Sequence, residues 1–220
     1  MTPKHIGIIL DGNGRWAKSR GMERKEGYAA GLSALLRIIA FCLNKGIEHL
    51  SVFAFSTENR ARPLDEKRAI FSAVANFLQN PPKDCAIDFL GNAKELDGEL
   101  SALIAKTNAS KPKSAGLNLH IALNYGGRAD IVQAVNKILQ QNPSGAIDEE
   151  TFSKYLSTAN LPPLELVIRT GGQKRLSNFM LYEAAYSELI FLDTLFPDMT
   201  EQTMQAALDE YGARTRTFGA

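Results

Sequence analysis

Short runs of β-branched and aromatic residues alternate with segments of helical periodicity along the chain, the pattern of a parallel sheet with helices on its faces. Strands are predicted at 5–10 (HIGIIL), 49–55, 86–91, 117–123, 165–169 and 189–193. A helix is predicted at 26–44, where Leu35, Ile38, Ile39 and Cys42 recur at helical spacing ahead of Gly46. Another spans 65–79, carrying Ile70, Val74, Phe77 and Leu78 and stopped by Asn80-Pro81-Pro82. Further helices are expected at 93–107, 128–141, 149–157, 178–187 and 200–211, with Ile131, Val135 and Ile138 forming the apolar face of the second of these. The segments 108–116 and 142–146 are loop-sized and no repeat is present, so the expectation is one α/β domain over 1–220.

Charge narrows the choice of ligand. With 25 Lys+Arg against 24 Asp+Glu the net charge is +1, which gives no basic footprint for nucleic acid. An anion must then be met by a local cluster, and a compact anion fits better than a polymer. Cys42 and Cys85 each sit in an apolar stretch, as buried free thiols of a reducing compartment do. The start MTPKHIGIIL offers no export leader, and LSALLRIIAFCL, interrupted by Arg37, is too short to span a bilayer. A cytoplasmic location without a transmembrane segment is expected, with peripheral membrane contact at most.

In an open parallel sheet ligands sit beyond the carboxyl ends of the strands. After the first strand comes Asp11-Gly12-Asn13-Gly14-Arg15-Trp16-Ala17-Lys18, where two glycines permit close backbone approach and a following helix turns N–H groups toward an anion. It is neither a GxGxxG fingerprint nor a GxxxxGK[ST] loop, and taken alone it is equally consistent with a ligand-free turn. The second strand runs into Ser56-Thr57-Glu58-Asn59-Arg60-Ala61-Arg62-Pro63, which alone could be a helix cap with a solvated charge pair. Asn124-Tyr125-Gly126-Gly127 follows the fourth strand, where plain turn chemistry suffices. Arg169-Thr170-Gly171-Gly172-Gln173-Lys174-Arg175-Leu176-Ser177-Asn178 follows the fifth and sets three cations around two glycines, a set able to hold a diphosphate. Glu188, before LIFLD, could return a carboxylate to the same edge. Topology forces strand ends to converge, so these weak signals reinforce one another.

Four blocks, DGNGRWAK at 11–18, FSTENRARP at 55–63, NYGGRADIV at 124–132 and IRTGGQKRLSNFMLYEAAYSEL at 168–189, make the chain closely similar to the cis-prenyltransferases, above all their bacterial undecaprenyl diphosphate synthase branch. The resemblance implies a central, mainly parallel six-stranded sheet flanked by helices and a cytoplasmic homodimer. It implies repeated condensation of isopentenyl diphosphate onto an allylic diphosphate such as farnesyl diphosphate, with Mg²⁺ as cofactor and a long polyprenyl diphosphate as product, the precursor of the lipid carrier in cell-wall synthesis. It further implies roles for particular residues. Gly12, Asn13, Gly14, Arg15, Arg24 and Tyr28 match the allylic-diphosphate site, with Trp16 beside the allylic chain. Ser56, Thr57, Glu58, Arg60 and Arg62 match further substrate-binding positions. Arg169, Arg175, Leu176 and Ser177 match the isopentenyl-diphosphate site. Asp11 matches the essential acid and, with Glu188, the metal-binding carboxylates; Asn59 matches the position assigned to proton removal, where a neutral amide positions or relays rather than acting as base.

The chain departs from that pattern in places. Tyr28 stands where a histidine is usual, Gln173 and Lys174 where an acid and often a histidine occur, Arg60 where an aromatic is common, and Thr217 where the terminal motif carries arginine. The ILDGN segment also resembles aspartyl-phosphate phosphatases, but Asn13 occupies the place of their second acid. A silent partner subunit is disfavoured because Asp11, Arg15 and Arg24 are all present, and DDxxD pairs of trans-prenyltransferases are absent. A product chain growing by five-carbon units needs a dry tunnel, for which Ile70, Val74, Phe77 and Leu78 are the candidate wall.

Overall fold

The computed structural model describes residues 2–92, 96, 98–112, 114–141 and 145–215. Six strands, β1 (His5–Ile9), β2 (His49–Ser56), β3 (Cys85–Leu90), β4 (Leu117–Tyr125), β5 (Leu166–Arg169) and β6 (Glu188–Phe191), form one sheet in the order β3-β4-β2-β1-β5-β6. All five pairings are parallel, so the expected "mainly parallel" sheet is parallel throughout. Between and after them run α1 (Asn13–Ser19), α2 (Arg24–Lys45), α3 (Leu64–Gln79), α4 (Gly98–Ala109), α5 (Gly127–Gln141), α6 (Glu149–Ser153) and α7 (Glu201–Ala213).

The pleat sends alternate side chains to opposite faces. On one face Ile6, Ile8, Leu50, Val52, Ile87, Leu119, Ile121, Leu166 and Ile168 pack with Leu35, Ile38, Ile39 and Cys42 of α2, Ile70 and Phe77 of α3, and Met204 and Leu208 of α7. On the other, Ile9, Ala122 and Val167 meet Phe179 and Met180. Helix α2, at 22 residues, is long and apolar enough to cross a membrane, yet that face covers the sheet and Arg37 donates to the carbonyls of Pro197 and Met199. Cys42 and Cys85 are free and buried, and burial pushes their thiols up to about 12 and about 11, with Cys85 adding to the rise at Cys42 and Asp84 to that at Cys85.

Several expectations are corrected. No α-helix forms at 178–187: Ser177, Asn178 and Met180 have φ of 50°, 67° and 41°, left-handed values incompatible with continued α-helix, and only a 3-10 turn, Glu183–Tyr186, remains. The helix expected to 157 stops at Ser153. The helix expected to follow the first glycine turn forms as α1 and begins already at Asn13, within the glycine-bearing segment itself. On α5 the buried face is Gly127, Asp130 and Ala134, and Val135 of the expected apolar stripe is exposed. The first residues of the helix expected at 93–107, and Thr217, lie outside the described residues.

Candidate active site

The chain enters the sheet at β1, lays β2 beside it, forms the edge at β3, comes back with β4 between β3 and β2, and then crosses to place β5 on the other side of β1. The reversal lies between β1 and β5, where open α/β sheets leave a crevice beyond the strand ends. Ile9 pairs with Arg169 in that register, which sets the loops after β1 and β5 face to face.

Asp11 is fixed there by its backbone. Its N–H donates to Thr170 Oγ1 at 3.0 Å, Thr170 Oγ1 donates to its carbonyl at 2.7 Å, and Phe196 N–H donates to the same carbonyl at 3.0 Å. Its carboxylate receives Arg169 Nη2 on Oδ2 at 2.9 Å and Arg15 Nη2 on Oδ1 at 3.1 Å. Arg169 is buried and also donates through Nη1 to the Arg175 carbonyl at 2.5 Å and Ser177 Oγ at 2.6 Å, so one guanidinium ties the β5 loop to the acid. Two glycines make this closeness possible. Gly12, at φ 117°, would drive a Cβ to 2.9 Å from Leu195. Gly171, at φ 82°, would press a Cβ onto the Arg15 guanidinium. Gly12 precedes α1 as its cap and supplies no side-chain acceptor, so the first N–H groups of that helix keep their donors free of any cap.

After β2, Ser56 and Asn59 cap a 3-10 turn reciprocally: Asn59 N–H donates to Ser56 Oγ and Ser56 N–H donates to Asn59 Oδ1, both at 3.2 Å. That fixes Asn59 with its carbonyl oxygen engaged. Across the mouth, Glu66 on the first turn of α3 accepts Tyr28 Oη at 3.0 Å and Arg62 Nη1 at 2.8 Å on Oε1, and Arg24 Nη1 on Oε2. Burial, and next the Glu66 carboxylate, push the Tyr28 phenol up to about 12, so it stays protonated at neutral pH and donates to Glu66.

These groups border one cavity of about 560 Å³. Its rim carries Asp11, Gly12, Asn13, Gly14, Arg15, Lys18, Arg24, Tyr28, Ser56, Asn59, Arg62, Glu66, Arg169, Arg175 and Ser177, and its depth is apolar, with Leu32, Leu35, Val52, Phe55, Ile70, Ala73, Val74, Phe77 and Ile121. Three of the four residues expected to wall a tunnel are therefore in place. Leu78 is turned into the core.

Other expected residues lie elsewhere. Trp16 is not on the cavity wall: its indole N–H donates to Asp198 at 2.7 Å and the Arg20 guanidinium lies 4.3 Å from its ring centroid. Thr57 and Glu58 bond to each other at 3.1 Å, Glu58 accepts Asn178 Nδ2 at 2.7 Å, and Arg60 donates to Asn124 Oδ1 at 2.7 Å, so these three brace loops behind the rim. Leu176 packs against the second core cluster. Glu188 is not returned to the Asp11 edge. It opens β6, paired with Leu166, three residues and so about 10 Å before the Ile9–Arg169 row, and it binds Arg214 of the α7 end at 2.6 Å. Sequence reasoning missed Thr170, Lys18 and Glu66; the i,i+4 spacing of Arg62 and Glu66 was the available sign of the last.

The undecaprenyl diphosphate synthase family model (Prenyltransf) matches residues 9–219. An isoprenyl transferase of Aquifex aeolicus is 41% identical over 222 residues, covering 99% of this chain and 96% of that protein. The ditrans,polycis-undecaprenyl-diphosphate synthase ((2E,6E)-farnesyl-diphosphate specific) of Escherichia coli K12 is 40% identical over 98% of this chain and 89% of its own length. Among solved structures, lavandulyl diphosphate synthase from Lavandula x intermedia, in complex with dimethylallyl diphosphate, superposes with a TM-score of 0.94 at 32% identity, covering 100% of this chain and 99% of that one. A probable undecaprenyl diphosphate synthase from Campylobacter jejuni gives 0.84 at 28% identity with both chains fully covered. A polar rim of guanidiniums around one acid, above an apolar pocket at the sheet's switch point, thus occurs in a chain that belongs to the undecaprenyl diphosphate synthase family of cis-prenyltransferases.

Proposed function

We propose that this protein condenses isopentenyl diphosphate repeatedly onto an allylic diphosphate, farnesyl diphosphate by analogy with its relatives, to give a long polyprenyl diphosphate of the undecaprenyl type. The observation that carries this reading is the union, in one cavity, of an Asp11-centred cationic rim with an apolar interior. In each round the allylic C–O bond breaks and its electron pair leaves with the diphosphate. The isopentenyl double bond then forms the new C–C bond, and a proton is lost to set the new double bond. Arg24, Arg62 and the open N–H groups of α1 suit the leaving diphosphate, while Arg169, Arg175 and Ser177 suit the diphosphate of the incoming unit. Asn59 Nδ2, without a partner among the described residues, is available to donate to substrate and hold it in place. Each five-carbon unit moved from water onto the apolar wall gains roughly 4 kcal/mol, which retains the growing chain between rounds.

Mg²⁺ fits Asp11 in one respect, since a hard cation takes one or two carboxylates and completes its shell with substrate phosphates and water. Among the described residues no group of three or more His, Cys, Asp or Glu side chains could hold a metal, so Asp11 is the protein's contribution and diphosphate oxygens must supply the rest. Glu188 cannot share an ion with Asp11 of its own chain. Bound Mg²⁺ would supply charge to stabilise the departing diphosphate; Asp11 would release Arg15 and Arg169 to do likewise.

A homodimer is part of the same reading. Val132, Val135 and Leu139 recur at i, i+3 and i+7 on α5 and are exposed, as is Tyr186 at 79%, a stripe suited to a second copy. Buried thiols suit a cytoplasmic setting.

The test is incubation of the purified protein with Mg²⁺, labelled isopentenyl diphosphate and either farnesyl or dimethylallyl diphosphate, with sizing of extracted lipids. Long products from the farnesyl starter, lost in Asp11→Ala, are expected. Absence of lipid product from the unmodified chain with both starters overturns the proposal.

A further inference from the structure

Besides Asp11, the cavity's described lining carries one further acid, Glu66, and it is buried, with 7% of its surface exposed. Burial of a carboxylate is costly unless it is paired and hydrogen-bonded. Here three groups from two separate segments converge on it. Arg24 and Tyr28 come from the first turns of α2, and Arg62 from the segment just before α3. Both arginines reach it through Nη1, and among the described residues neither guanidinium has a hydrogen bond through Nη2 or Nε. The remaining N–H groups of each fork are therefore left for an anion. Their side chains are otherwise well exposed, at 59% and 39%, and two like charges at one mouth would separate into solvent without a shared carboxylate. Tyr28, whose hydroxyl accepts from Arg62 Nη1 at 3.4 Å, closes the triangle by donating a hydrogen bond to Glu66. The tyrosine thereby stands behind the arginines.

We propose that Glu66 is a positioning residue: it holds Arg24 and Arg62 in register over the mouth so that their free N–H groups grip the diphosphate of the allylic substrate. This rests on the assignment of that rim to the allylic substrate given above. Simple electrostatics predicts the opposite sign for its removal, because deleting a negative charge beside an anion site should tighten binding, so the two accounts separate cleanly.

The full chain is assayed as unmodified protein, Glu66→Gln, Glu66→Asp, Arg24→Ala and Arg24→Ala/Glu66→Gln, with steady-state kinetics, calorimetric titration of inorganic pyrophosphate and a melting curve for each. Glu66→Gln is expected to raise KM for the allylic diphosphate roughly ten-fold, about 1.4 kcal/mol, and to weaken pyrophosphate by a similar factor. Its kcat and its KM for isopentenyl diphosphate should move by less than about three-fold, and Glu66→Asp, which keeps the charge, should recover part of the loss. In the Arg24→Ala background most of the Glu66→Gln effect should vanish, since partners acting through one another are non-additive. Unchanged or tighter pyrophosphate binding overturns the proposal, as does a full effect in the Arg24→Ala background or a fall in melting temperature with KM unmoved. Should the unmodified chain make no lipid product, the proposed function fails while the pyrophosphate titrations still decide the role of Glu66.

Discussion

His5 bears no part of the chemistry above, yet it governs how the molecule meets acid. Its Nδ1 donates to the carbonyl of Pro162 at 2.9 Å, because a carbonyl can only accept, which leaves Nε2 to receive the Ser51 hydroxyl at 2.8 Å. Burial, only partly offset by the Pro162 bond and reinforced by His120 and His49, pushes its pKa down from 6.5 to about 4. Above pH 6.5 the ring is neutral in both folded and unfolded chains. Between there and about 4 the unfolded chain binds a proton that the folded chain refuses, so stability falls as pH falls, by about 3 kcal/mol at the lower end. His49 is shifted the same way, chiefly by burial and then by His120. The expected outcome is a melting temperature that drops steadily from pH 7 to pH 4.5 and drops less in His5→Gln, whose amide keeps a donor and an acceptor. Calorimetric melting curves across that range check it; equal slopes in both proteins exclude His5 as the source.

At the scale of elements, helix α3 serves two ends. Its first turn presents Glu66 to the rim and its later turns present Ile70, Ala73, Val74 and Phe77 to the cavity's depth. Val74→Trp should fill part of that depth and shorten the lipid products while leaving condensation intact, as chromatographic sizing would show; an active variant with products of unchanged length removes Val74 from the wall. This double duty also explains what the amino-acid order made legible. The period of Ile70, Val74 and Phe77 was plain, because burial of one helical face writes itself at every third or fourth position. By contrast, the helix expected at 178–187 was wrong because Phe179, Met180 and Ala184 are buried by tertiary packing of a looped segment, and left-handed backbone at Ser177 and Asn178 has no signature in side-chain periodicity. Trp16 was misplaced for a related reason: its motif fixes the turn before α1, not which side of that short helix meets the pocket.

For the molecule as a whole, convergence of strand ends was foreseeable from topology, and Asp11, Arg15, Arg169 and Ser177 do meet. Glu188 was misjudged although its place was legible, since a residue written just before a strand lies at the amino end of a parallel sheet, opposite the crevice. Its place beside Arg214 puts it with α7. The uncovered stripe on α5 was hidden, because Val135 reads as core until its neighbours are known. Under the proposed dimer, replacing Val135 and Leu139 by Glu is expected to lower the mass from about twice 24.1 kDa to that of one chain without loss of folding, read by light scattering and circular dichroism. An unchanged mass would place any self-association on another face.

The strand order has one more consequence. Asp11 is synthesised well before the arginine that closes on it, which stands 158 positions later, and β5 must slot beside β1 before the two touch. A chain emerging from the ribosome therefore cannot close this guanidinium on its acid until β5 has been made. Contacts so distant along the chain are slow to form, and a fragment that ends before β5 lacks Arg169, Arg175 and Ser177, and with them that side of the rim.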